Sequence, residues 1–139
     1  MRLVGGYDQE VAAWASERFG RPIIGPFSAF GVLNNRNELC GAAIFGDFYK
    51  GGNIELTYYG PGTAARGIIR DLCRYAFNQC GVSRVTAKTM RANAVCQHLL
   101  PKLGFHFEGI QKRYYGTDKS SDALTFVLFR KDAKRWLGA

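Results

Sequence analysis

The residues from Asn53 to Phe105 constrain this chain more than any other stretch. Ile54-Glu55-Leu56-Thr57-Tyr58 reads as a strand, and Tyr59-Gly60-Pro61-Gly62-Thr63-Ala64-Ala65-Arg66 as a turn of small residues. Ala65, Ile68, Ile69, Leu72, Cys73, Ala76, Phe77 and Cys80 then recur at three- and four-residue intervals, one apolar face of a helix over Ala64–Cys80. Arg84-Val85-Thr86-Ala87-Lys88 reads as a short strand. Arg91-Ala92-Asn93-Ala94 opens a second helix, which ends in Lys102-Leu103-Gly104-Phe105. A helical crossover of this length predicts that the strands through Glu55 and Val85 are parallel neighbours, splaying apart near Tyr58. The turn before the first helix leaves several backbone N–H groups aimed at whatever docks there, the layout of a site for a phosphate-bearing cofactor.

The flanking segments read as antiparallel strands and short helices. Asp8 is the expected N-cap of a helix running through Val11, Trp14, Ala15 and Arg18 to Phe19-Gly20. Ser28 to Leu33 and Glu38 to Phe48 form a hairpin across Asn34-Asn35-Arg36-Asn37, and a second turn over Lys50–Asn53 leads into the strand through Glu55. His106 to Tyr115 and Ala123 to Arg130 form another hairpin across the polar loop Gly116–Asp122. The basic tail from Lys131 to Ala139 carries Trp136 as an anchor. These elements predict an α/β fold: a mixed, mostly antiparallel sheet with a central parallel strand pair, flanked by helices. At 139 residues the expectation is a single domain over residues 1–139. No apolar run approaches the roughly twenty residues of a membrane span, and Met1–Gly6 lacks the apolar region of a signal peptide. A soluble, cytoplasmic protein is expected.

The formal net charge of +8 favours anionic partners, whether a nucleotide cofactor, nucleic acid or an acidic surface. Arg66, Arg70 and Arg74 fall at four-residue steps opposite the apolar stripe. A solvated face explains Arg70 and Arg74. Arg66 sits in the first helical turn, where the helix dipole disfavours a cation unless an anion is present, and this makes it a candidate phosphate contact. Cys40, Cys73, Cys80 and Cys96 lack C-x-x-C spacing and sit in apolar patterns, so they read as core residues. With only His98 and His106 and no clustered ligands, no metal site is expected.

The order of elements, with Asn93, a helix and then Leu103-Gly104-Phe105, resembles the GNAT superfamily of acyl-CoA-dependent N-acyltransferases over nearly the whole chain. It is most similar to the short members encoded by phages and prophages. The resemblance implies an N-acyltransferase that moves an acetyl group from acetyl-CoA to an amine, borne by a small molecule, a protein or a nucleic acid. It places the pyrophosphate-binding hexad at Gly60-Pro61-Gly62-Thr63-Ala64-Ala65, with Arg66 next, and implies cofactor contacts from Tyr58, Tyr59, Gly60, Gly62, Thr63, Ala64, Ala65, Arg66 and Asn93. The chain departs from the family pattern in two places. The hexad lacks its first Gln or Arg and has Thr63 for the central Gly. Leu100, followed by Pro101, stands where many members carry a Tyr that protonates the departing thiolate.

An amine must lose a proton to attack a thioester, so a carboxylate is needed nearby. Glu55 on the central strand and Asp47 at the end of the preceding one are the candidates. A cross-strand ion pair is the alternative for Glu55, and strand-end capping for Asp47. Tyr114 is a candidate for the catalytic site, and Tyr115 beside it a second choice. A different function class also fits: a GNAT-fold module with reduced catalysis, whose basic surface binds nucleic acid or a protein. The acceptor and the oligomeric state stay open.

Overall fold

In the computed structural model, which describes residues 1–20, 22–60 and 66–138, the elements follow the expected order with additions at both ends. The chain runs through β1 (Arg2–Val4), α1 (Asp8–Phe19), β2 (Ser28–Leu33), β3 (Leu39–Gly46), β4 (Asn53–Tyr59), α2 (Arg66–Arg74), β5 (Arg84–Met90), α3 (Ala94–Lys102), β6 (His106–Gln111), β7 (Ala123–Phe129) and α4 (Lys134–Leu137). The strands form one sheet in the order β1-β2-β3-β4-β5-β7-β6. β4 and β5 pair in parallel, and all other neighbours pair antiparallel. This is the mixed sheet with a central parallel pair that the sequence predicts.

Period-two alternation divides the sheet into two faces, each with its own apolar cluster. Val11 and Ala15 of α1 pack on Ala29, Ala42 and Ile44 on one face. Ile68, Leu72 and Cys73 of α2, with Ala76 and Phe77 after it, pack on Ala43, Phe45, Ile54, Val85 and Leu128 on the other. Phe77 is fully buried, a burial that contributes about 2–3 kcal/mol. α2 passes directly into one wide π-helical turn, Tyr75–Gln79, in which the Cys80 N–H donates to Tyr75 O at 2.8 Å. The Tyr75 hydroxyl donates to Ser28 Oγ at 2.9 Å, tying this turn to β2. The predicted helix start at Ala64 lies outside the described residues.

Several sequence boundaries need correction. Asp8 is not the N-cap: it is the first residue of α1, Tyr7 holds the cap position, and the Asp8 carboxylate accepts from the Ala29 N–H of β2 at 3.1 Å. β3 stops at Gly46 rather than Phe48, because Asp47 turns the chain with φ +47°. β6 stops at Gln111 rather than Tyr115, since Arg113 adopts φ +52°, so Tyr114 and Tyr115 lie in the loop and not on a strand. The expected hairpin of Glu38–Phe48 with Ser28–Leu33 is the β2–β3 pair. The edge strand β1 is too short to announce itself in the sequence.

The Leu103-Gly104-Phe105 signature is where the C-terminal segment docks. Phe105 enters the core, and the Trp136 indole N–H donates to Leu103 O at 2.9 Å. Gly104 has φ +108°, and a Cβ there would lie 2.8 Å from Asp132 O, so only glycine permits this approach. Trp136 is 5% exposed and α4 packs on α2. Trp136→Ala removes both the buried ring and its hydrogen bond, and chemical denaturation should record a loss of about 3–5 kcal/mol.

Candidate active site

The β4–β5 ladder ends early. Its last pair is Leu56 with Ala87, yet β4 continues to Tyr59 against β3 and β5 continues to Met90 against β7. Beyond Leu56 and Ala87 the two strands follow different partners and part. A cavity of about 580 Å³ opens in the gap. Leu56, Tyr58, Ile68, Ile69, Ala87 and Leu100 give it a largely apolar wall, with Asn93 and Cys96 on one side and Tyr59 and Lys88 across the splay. α3 contributes no fully buried residue, so it stands over the sheet and leaves this room beneath it.

Asn93 caps α3: its Oδ1 accepts from the Cys96 N–H at 3.2 Å. Gly60 leaves β4 with φ +129°, and a Cβ there would lie 2.7 Å from Gly41 Cα, so the exit from β4 depends on glycine. Gly62, Thr63, Ala64 and Ala65 lie outside the described residues. Arg66 is exposed at the start of α2, its guanidinium 5.9 Å from the Trp136 ring centroid. Tyr59 closes the opposite side, edge-on to Trp14 and Phe19 at 5.7 Å. Cys73 lines the cavity, but burial pushes its thiol pKa up to about 12 against a lowering by Arg135, so it stays protonated and inert.

The candidate catalytic residues gather on the opposite face of the sheet, at the same splay. Glu55 pairs in register with Thr86, and Lys88, two residues further on the same face, reaches it at 3.2 Å. The Lys88 ammonium also lies 3.5 Å from the Tyr114 hydroxyl and 4.8 Å from the centre of that ring. Burial draws the Lys88 pKa down, but Glu55 and Tyr114 outweigh it and hold it above the usual lysine value. Asp47 stands apart from this trio: Asn53 Nδ2 donates to its carbonyl at 3.1 Å and lies 3.4 Å from its carboxylate. Glu55, Lys88, Asp47 and Asn53, with Arg84 and Glu108, border a polar groove of about 510 Å³. Arg84 binds Glu108 through both terminal nitrogens, at 2.6 and 2.9 Å, and these bonds hold the Glu108 carboxyl below its usual range. Tyr115 lies in the cavity wall, while its neighbour Tyr114 reaches Lys88.

The sequence places Lys88 on a strand and Asp122 in a loop without marking either as a site residue. Lys88 was legible in principle, since a parallel β4–β5 pair and period-two alternation set it diagonal to Glu55. Asp122 gives no local signal. It is 3% exposed and accepts from the Arg113 N–H at 2.8 Å and from Arg91 Nε at 3.2 Å. Its carbonyl takes the Arg91 N–H at 2.8 Å, and Tyr115 N–H donates to Ser121 O at 3.0 Å. The loop bearing Tyr114 and Tyr115 is thus laced to the segment just before Asn93.

Among the described residues no group of three His, Cys, Asp or Glu could hold a metal ion, and no helix is long and apolar enough to cross a membrane. No sequence-family model matches the chain, and no curated protein matches it. Solved structures do. A mutant of the spermidine N-acetyltransferase SpeG from Vibrio cholerae superposes with TM-score 0.74 at 13% identity, covering 99% of this chain and 98% of that one. Another mutant form of the Vibrio cholerae spermidine/spermine N-acetyltransferase SpeG gives 0.76 at 14%, covering 96% and 97%. A protein provisionally assigned as a phosphinothricin N-acetyltransferase gives 0.70 at 15%, covering 92% and 97%. The chain shares the GNAT fold of these N-acetyltransferases.

The hydrogen bonds to Asp122 hold its carboxyl below its ordinary value, the Arg113 N–H first and Arg91 after it, against burial. A depressed pKa contributes stability above the unfolded carboxylate value of about 3.9, and that stability is lost as pH falls through the folded value. Asp122→Asn should therefore destabilise the protein at neutral pH and flatten the acid limb of its stability curve. Thermal melts from pH 7 down to pH 2 test this.

Proposed function

We propose that the chain is an N-acetyltransferase that takes its acetyl group from acetyl-CoA, with the acetyl-CoA in the β4–β5 cleft and the acceptor amine entering from the Glu55 side. One observation carries the reading: the parallel ladder stops at Leu56 and Ala87 and the gap opens on a cavity large enough for a pantetheine arm. The residues fit such a group. The apolar wall suits the arm's methylenes, backbone of the parted strands suits its amides, and Arg66 at the first turn of α2 suits a phosphate. Tyr58, Tyr59, Gly60 and Asn93 border or terminate this space, while Gly62, Thr63, Ala64 and Ala65 would complete the phosphate turn. Bound there, acetyl-CoA supplies an activated thioester carbonyl beside the splay.

The chain's own groups then do three things. The cavity keeps bulk water from the carbonyl, which would otherwise hydrolyse it. The Glu55 carboxylate takes a proton from the acceptor nitrogen, directly or through one water, so that the lone pair becomes available. Lys88 holds Glu55, and Tyr114 in turn holds Lys88. Asp47, engaged with Asn53 at the far end of the groove, fits an acceptor contact better than a base. The likeness to spermidine N-acetyltransferases makes polyamines the first acceptors to try. The position of Leu100 in the apolar wall leaves thiolate protonation to another group.

Glu55→Gln keeps shape and hydrogen bonding while removing the base. Turnover, read as thiol release from acetyl-CoA with a panel of polyamines and other amines, should fall by about 10²–10⁴-fold, and calorimetric affinity for acetyl-CoA should stay nearly intact. Full activity in that variant would refute the base assignment.

A further inference from the structure

Among the described residues, Lys88 alone borders both the cofactor cavity and the acceptor groove. It follows immediately on Ala87, the last residue paired with β4, so its side chain leaves β5 where the strands part. The side chain is 21% exposed, and its ammonium is held between the Glu55 carboxylate at 3.2 Å and the Tyr114 hydroxyl at 3.5 Å. A cation so placed, in a largely apolar wall whose other charged member is Arg18 beside Phe19 and Tyr59, sits where acyl transfer generates negative charge. The usual owner of the last step is missing, because Leu100 has no proton to give.

We infer that Lys88 is a catalytic residue, the fixed cation that stabilises the departing CoA thiolate. The inference rests on the acetyl-CoA reading above. In the step, a C–N bond forms from the acceptor lone pair, the C–S bond breaks and its electron pair leaves on sulfur. The proton lost from nitrogen goes to Glu55 and from there to water. Lysine ionises near pH 10.4, so at neutral pH the ammonium keeps its proton and acts through charge. The two residues are coupled: protonation of Glu55 cancels the charge facing Lys88, and the ammonium's field then falls on the sulfur. The other charged groups of the groove are Arg84 and Glu108, which neutralise each other, and Asp47, which faces Asn53.

The ionisation of bound CoA tests this without turnover. In a Glu55→Gln background, where Lys88 faces no carboxylate, ultraviolet thiolate absorbance should place the bound thiol's pKa at least about one unit below that of free CoA in the same buffer, a tenfold effect. Adding Lys88→Met should abolish the shift, and Lys88→Arg should keep most of it. Equal thiol pKa values with and without Lys88 overturn the inference. Should Lys88→Met weaken CoA binding, desulfo-CoA separates the causes: affinity lost for CoA but kept for desulfo-CoA supports the thiolate contact. Equal loss for both makes Lys88 structural and overturns it. A wild-type protein that binds neither acetyl-CoA nor CoA overturns the acetyl-CoA reading itself, and this inference with it.

Discussion

The organisation of this protein depends on a ladder that stops. Parallel strands need a long crossover, and here the crossover is α2 and its π-helical turn, which cover one face of the sheet between β4 and β5. Once the Leu56–Ala87 pair is made, β4 stays with β3 and β5 stays with β7, so the two halves of the sheet diverge as each keeps its own antiparallel partner. Backbone beyond that point would be costly to bury without partners. A cleft at the divergence leaves it available to a ligand. The same parting brings the two faces of the sheet within one side chain's length, and Lys88 spans that distance.

The rest of the architecture fixes the edges of the cleft. Asn93 caps α3 at its mouth, the C-terminal segment pins the far end of α3 through Leu103 and Gly104, and Arg135 donates to Lys102 O beside them. Asp122 does the same for the loop of Tyr114 and Tyr115. Apart from the local Asn93 cap, these contacts come from distant parts of the chain, and they hold a helix that buries little of its own surface. A site built this way needs few residues of any fixed identity, which fits a fold shared at 13–15% identity.

The fold was legible in the sequence wherever a period was long enough to read. The stripe Ile68, Leu72, Cys73, Ala76, Phe77 gave the crossover helix, and the β2–β3 and β6–β7 hairpins followed from alternation and polar turns. Boundaries were misread where one backbone angle decided them, as at Asp47 and Arg113, whose positive φ no propensity announces. Asp8 looked like a cap because a helix-start Asp usually is one; its carboxylate instead serves β2, a contact 21 residues away. The site was legible in part. Glu55 and Tyr114 were legible as site candidates, and they meet through Lys88, which the sequence marks only as a strand residue. Asp122 was hidden because its two donors come from either side of α3 and β6.

Amide hydrogen exchange with and without acetyl-CoA tests the central claim most directly, since it locates binding along the backbone. If the parted strands are the acetyl-CoA site, exchange should slow at Thr57–Tyr59, at the start of α2 from Arg66, and around Asn93–Cys96, with little change in β1, β2 or β6. Protection confined to other elements, or no change at saturating acetyl-CoA, would contradict the account.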